Sequence, residues 1–390
     1  MSVRRLTWTA YLLMACEGYL IYAVGYITPY LQSGLGAPPW VAALPNSAMA
    51  VGLLVSGFYV DRIVRAGGPL AAIRLWIGLM VVAAVLISWA VSVLPILIGA
   101  LLYGVAVAGV LVHVITALAE RRDGVLLVRA FVWSVAGGLL APLVLSTAAR
   151  TVGWSFGVLA PLPLLLALAF IIPGSAARDA TGPSKVDPAP LGRAYWLTWI
   201  FIALGVAAEF SFIAWGSQVA SLRVGLPLAD ATALASLFVV GEVLGRLALS
   251  TGIAARGDVR VLLGAGAALA AIGGAVLWAA TVPALAGAGM FLGGLGIAAI
   301  FPVGAGLAVA QAPHVPVKAS TRLTAASGIA IFSAPLMVGV VAGATGVIGA
   351  WVLVVAFLVA AVAVMQVVPA PVRTDSPAGV EPLGRTAGGS

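Results

Sequence analysis

Gly57-Phe58-Tyr59-Val60-Asp61-Arg62-Ile63-Val64-Arg65-Ala66-Gly67-Gly68 is a charged interruption between two apolar runs, at 39–60 and 70–92. Each run is long enough to cross a bilayer, which takes about 20 apolar residues as a helix. The pattern repeats along the chain. Of 390 residues, 63% are hydrophobic and only 8% are charged, against roughly 25% charged in a soluble globular chain. The mean hydropathy is +1.16. No surface facing water on all sides can be built from this mixture, which excludes a soluble enzyme, a secreted module and a disordered chain. The 47 glycines fit membrane helices that approach one another closely. A single cysteine excludes a disulfide framework and a multi-cysteine metal site.

Apolar runs broken by charge, Pro or Gly predict twelve spans. They lie at 6–31, 39–60, 70–92, 94–118, 126–149, 152–172, 194–221, 229–252, 259–280, 283–311, 319–343 and 347–368. Of the 20 cations, only Arg150 and Arg223 fall in the odd-numbered connections, and Arg246 falls inside a span. The other seventeen, among them Arg4, Arg5, Arg62, Arg65, Arg121, Arg122 and Lys185, flank the even connections and the two termini. The positive-inside rule therefore places both termini in the cytoplasm. It also accounts for the net charge of +8 as topology, with no nucleic-acid partner implied. Leu13-Met14-Ala15-Cys16 looks like a lipoprotein cleavage box, but the chain stays apolar and aromatic through Tyr30. It reads as a retained first helix with Cys16 an inert buried thiol. Eighteen arginines to two lysines, with abundant Ala and Gly, point to a GC-rich bacterial genome and hence to the inner membrane.

Shifted by 189 residues, the chain aligns Gly36, Pro38, Ser47 and Gly52 with Gly225, Pro227, Ser236 and Gly241. A shift of 193 aligns Ser134, Ala141 and Pro142 with Ser327, Ala334 and Pro335. The expected architecture is an all-α integral membrane protein of twelve transmembrane helices in two pseudo-symmetric six-helix halves. The halves are 1–173 and 193–370, with a cytoplasmic linker at 174–192 and a disordered tail at 371–390. Two repeated halves with a site between them are the architecture of a secondary transporter. No Gly-x-x-x-x-Gly-Lys-Ser/Thr loop occurs, which argues against an ATP-driven pump.

The stretch at 57–68 resembles the G-x-x-x-D-R/K-x-G-R-R/K signature of the major facilitator superfamily, with Val64 where the pattern has Gly. The resemblance spans nearly the whole chain. Gly241-Glu242-Val243-Leu244-Gly245-Arg246 and Phe301-Pro302 are similar to the sugar-porter and fucose-permease-like branch. Span four has no Arg near its outer end, where many proton-coupled members carry one. Gly138 and Pro142 follow the Gly-Pro signature of drug antiporters only loosely. The resemblance implies that Gly57, Asp61, Arg62, Arg65 and Gly67 form a cytoplasmic gating motif, with Asp61 docking on the positive N-terminus of the eleventh span near Lys318-Ala319-Ser320-Thr321.

Ionisable groups at bilayer depth are costly and usually functional. Glu17 and Glu209 occupy almost corresponding places in the two halves, on spans that line the central cavity in the resembled family. Desolvation favours the neutral acid, so carboxyls there can bind and release a proton as water access alternates. Tyr19, Tyr22, Tyr26 and Tyr30 form a stripe about 160° away from Glu17 at 100° per residue. One straight helix cannot turn both faces into a cavity. It is either enclosed by protein or bent near Gly18, Gly25 or Pro29. The stripe fits local aromatic packing and a substrate platform equally well. His113 lies on a small-residue face and can pass protons or contact solute, or serve only as a structural donor. Glu242 and Arg246 stand four apart in the favourable order for a helical ion pair, read as structural or gating.

The expected activity is proton-coupled movement of a small organic solute by a bilayer-embedded monomer. It needs no cofactor or metal, only the proton gradient. Glu17, Glu209, His113 and Tyr22 are the coupling and substrate residues. The alternatives are proton-driven efflux of lipophilic compounds and, in a different class, a receptor or scaffold on the same fold. No nucleophile–base pair points to an enzyme.

Overall fold

In a computed structural model of the chain, residues 3–56, 59–89, 91–119, 124–172, 190–250 and 258–369 are described. The expected tail, most of the expected linker and Gly57 lie outside them, and the side chain of Asp61 is likewise not described. All regular structure among the described residues is helical. Before the linker come α1 (Val3–Tyr26), α2 (Thr28–Leu35), α3 (Pro39–Ser56), α4 (Val60–Ser88), α5 (Val93–Ala119), α6 (Gly124–Thr151), α7 (Trp154–Gly157) and α8 (Leu162–Ile171). After it come α9 (Arg193–Val224), α10 (Leu228–Leu234), α11 (Ser236–Ser250), α12 (Val259–Ala279), α13 (Pro283–Ile297), α14 (Ile300–Ala310), α15 (Pro316–Ala350) and α16 (Val352–Val367).

Among the described residues ten helices are long and apolar enough to cross a membrane, and α1 with α2 makes an eleventh when taken as one span bent by 47°. The last predicted span corresponds to α16, whose 16 residues, apolar except for Gln366, reach about 24 Å at 1.5 Å per residue. Most span boundaries agree with the predicted ones to within a few residues, because Gly and Pro punctuate both. The exceptions are the span predicted at 70–92, whose helix begins at Val60 and breaks at Gly68, and the one predicted at 319–343, whose helix runs to Ala350 across a break at Gly346. Gly36 (φ 63°) and Gly225 (φ 70°) end α2 and α9 in the left-handed conformation. Each sends its N–H back to a carbonyl of the last turn, and the two are 189 residues apart. Side-chain-bearing residues avoid this φ, so the repeat marks a shared backbone turn.

The stretch at 57–68, expected as a loop, is helical from Val60 onward and breaks only at Gly68 (φ 75°, ψ 165°) ahead of Pro69. Val60 is buried and Ile63 and Val64 are half-buried, while Arg62, Arg65 and Gly67 are exposed. That three-and-four spacing gives the segment an apolar face, and Val64 is part of it. A glycine at 64 would weaken this turn.

The helices before the linker pack among themselves, α1 on α6 and α5 on both α3 and α4; those after it do likewise, α9 on α15 and α16 and α13 on α11 and α12. Close crossings rest on paired glycines. A Cβ on Gly52 would strike the Leu101 carbonyl and one on Gly104 the Met49 carbonyl; Gly241 and Gly294 stand in the same relation to Phe291 and Phe238. Backbones in contact are how membrane helices gain dispersion energy without a hydrophobic drive. Between the two groups, α3 packs on α15, α6 on α10 and α11, and α1 and α2 on α9.

Candidate functional site

The tyrosine stripe of α1 and α2 faces the second group of helices. The Tyr22 hydroxyl donates to Glu242 Oε2 in α11. Tyr26 donates to the Ala235 carbonyl (3.3 Å), at the break between α10 and α11, and Tyr30 to Thr232 Oγ1 (3.0 Å) in α10. Tyr19, nearer the start of α1, turns to the Gly157 carbonyl (2.5 Å) within its own group. The phenols therefore bond across the seam from Tyr22 outward, neither satisfied locally nor exposed as a platform.

Glu242 is the centre of this seam. It is fully buried and sits one turn from Arg246, which donates Nη2 to Glu242 Oε1. The carboxyl of Glu209, in α9, lies within hydrogen-bonding reach of the Glu242 carboxyl, and its charge also acts on Tyr22 and Arg246. Glu209 and Arg246 are half-buried, so a cluster with an enclosed core reaches accessible space on one side. It holds two carboxyls, one guanidinium and one phenol. A hydrogen bond between two carboxyls needs a proton on one of them.

Glu17 is elsewhere. It is buried at the crossing of α1 and α6, where its Oε2 accepts from Ser134 Oγ at 2.7 Å and its main-chain carbonyl from the Tyr103 hydroxyl at 2.5 Å. Gly18 and Gly137 bring those two helices into backbone contact, so the niche is tight. Cys16 is buried beside it. His113, in α5, is half-buried, and among the described residues its imidazole has no hydrogen-bond partner. The first helix is thus both enclosed and bent: Glu17 faces α6, the stripe faces α10 and α11, and the 47° bend falls at Ile27, between Gly25 and Pro29.

Sequence periodicity did not identify the ties beyond this cluster. The side-chain amide of Gln32 donates to Gln218 Oε1 (2.8 Å) and that of Gln218 to Gln32 Oε1 (3.4 Å), Ser47 donates to the Phe332 carbonyl (2.7 Å), and Arg150 pairs with Asp230. Arg150 had one available signal, as one of two cations in the charge-poor connections. Together with Tyr26 and Tyr30, these ties join the two groups of helices toward the end of α2.

No family model matches the sequence, and no curated protein does. Solved structures match over nearly the full length. A point mutant of the nucleoside transporter NupG superposes with a TM-score of 0.78 at 14% identity, covering 93% of this chain and 99% of that one. A bacterial homologue of the human lysosomal transporter Spinster, inward-facing and occupied, gives 0.74 at 13% identity, covering 94% and 97%. Both are major facilitator transporters. The fold is the major facilitator fold. Within that fold the contacts of α3 with α15 and of α6 with α10 and α11 join the two groups of helices, and the Tyr22–Glu242–Arg246–Glu209 cluster lies between these groups.

Proposed function

We propose that the chain is a secondary transporter that couples a small organic solute to a proton by alternating access. Residues 1–173 and 193–370 are its two six-helix halves, rocking about the seam. The observation that carries this reading is the pair of carboxyls, Glu209 and Glu242, held at the seam with a single guanidinium. With Glu242 matched by Arg246, Glu209 is the remaining acid, and a proton on it leaves the cluster neutral. Releasing that proton places an unmatched negative charge where the dielectric is low and Coulomb energies are large. The Tyr22 bond to Glu242 ties that charge state to contact between the halves. Protonation and rocking are thereby linked, since an effector shifts a conformational equilibrium by its differential affinity for the two states.

The other residues have lesser tasks. His113, whose imidazole has no hydrogen-bond partner among the described residues, is a solute contact. Glu17 is a packing carboxyl of the first half. Asp61, Arg62 and Arg65, with Gly57 and Gly67, form the gating motif of the cytoplasmic side. With both termini in the cytoplasm of a bacterial inner membrane, the ties from Tyr26 to Gln32 close the external side. The nucleoside transporter of like fold makes nucleosides a sensible first class in a solute panel.

The experiment is solute-driven proton flux in proteoliposomes loaded with a pH-sensitive dye. Flux should occur with the wild-type chain and disappear in Glu209→Gln. Flux that survives in both Glu209→Gln and Glu242→Gln removes the coupling assignment. Right-side-out and inverted vesicles separate uptake from export.

A further inference from the structure

The bend between α1 and α2 collects oxygen atoms whose hydrogen bonding is incomplete. Pro29 has no N–H, so the Gly25 carbonyl has no donor four residues on. Asn46, in α3, abuts this point, its Oδ1 lying 3.6 Å from where a Cβ on Gly25 would stand. Its amide nitrogen is engaged, donating to Thr28 Oγ1 at 3.3 Å, but Oδ1 has no partner although Asn46 is fully buried. The other wall is α9. Ile213 packs on Gly25, and Gln218 bonds Gln32, so Ser217 stands level with Thr28 and Pro29, one turn beyond Ile213 on the same face. Ser217 is also fully buried, and its Oγ has no partner.

Each such group costs about 1–3 kcal/mol when left unmatched. The Gly25 carbonyl and Asn46 Oδ1 are acceptors only, and α1 presents the negative end of its dipole to the bend. Opened helix carbonyls and helix C-terminal ends inside membrane proteins hold small hard cations, which take oxygen ligands alone. We propose that the bend binds a sodium ion, ligated by the Gly25 carbonyl, Asn46 Oδ1 and Ser217 Oγ, with Thr28 Oγ1 at its edge. The site is distinct from the carboxyl cluster and does not depend on the proton reading. Its ligands come from α1, α3 and α9, so an occupied site holds α9 against the bend and favours the arrangement in which the end of α2 is tied.

The test is equilibrium binding of radioactive sodium to the purified full chain in detergent, competed with potassium or choline. Saturable binding of one ion per chain is expected, at least about tenfold weaker in Asn46→Leu and in Ser217→Ala. Ser217→Ala removes one oxygen from a buried position and keeps the packing, so it reports on the site even if Asn46→Leu misfolds. Absence of saturable binding, or binding unchanged in Ser217→Ala and any folded Asn46 variant, overturns the proposal and leaves the bend to an ordered water.

Discussion

Glu17 and Glu209 stand at nearly equivalent points of the repeat, yet their surroundings differ. Glu17 has a single hydroxyl, Ser134, in a niche built from one group of helices. Glu209 meets a second carboxyl, with a guanidinium and a phenol close by, and the phenol comes from the opposite group. A carboxyl whose partners all move with it keeps the same surroundings in every arrangement of the bundle. One whose partners lie across a seam changes surroundings whenever the seam opens. Position in the repeat therefore does not fix a carboxyl's surroundings; the ownership of its partners does.

The comparison breaks first at Glu242. Glu242→Leu leaves Arg246 without its carboxylate, and removing one member of a buried pair costs about 3–5 kcal/mol. Arg246 is partly accessible and the Glu209 carboxyl remains near it, which favours the low end. Denaturant titration in mixed micelles should show this loss, and adding Arg246→Met should recover most of it. Tyr22→Phe removes a bond to a charged acceptor, worth about 1.5–3 kcal/mol. It should speed separation of the two groups of helices, read as faster exchange between labels placed on either group.

Glu17→Gln keeps an acceptor for Ser134 and should cost no more than about 1 kcal/mol, with proton flux retained. Loss of flux there would make the two carboxyls alike and dissolve the contrast. The smallest effect belongs to Arg150→Gln. Arg150 and Asp230 are both exposed, and such pairs contribute about 0–1 kcal/mol and fade with salt. A label distance measured at low and high salt should differ in the wild type and not in the variant.

Much of the fold was legible because Gly and Pro act locally. Gly36 and Gly225 end helices for a reason contained in one residue's φ, and the same letters mark the boundaries in the sequence. The partners of the stripe were not legible. Periodicity says which residues share a face of α1, but not that the facing helix brings Glu242 and the opened turn at Ala235 to meet them. Glu242 and Arg246 were readable as a pair because they share a helix; Glu209 joins them only through packing of α9. The loop expected at 57–68 is a helix from Val60 onward because Val60, Ile63 and Val64 find a surface to cover, which no local propensity records.

The paired glycines have a mechanical consequence. Where Gly52 meets the Leu101 carbonyl and Gly104 that of Met49, or Gly241 and Gly294 meet theirs, main chain rests on main chain, with no side chain between to change rotamer. Such a crossing has no slack. Across the seam the polar contacts are phenols, amides, the Ser47 hydroxyl and one exposed ion pair, and Gly339 abuts the Pro39 carbonyl. Stiffness is thus greatest within each group of helices, and a relative movement of the two groups is carried as a rigid-body motion rather than absorbed inside either one.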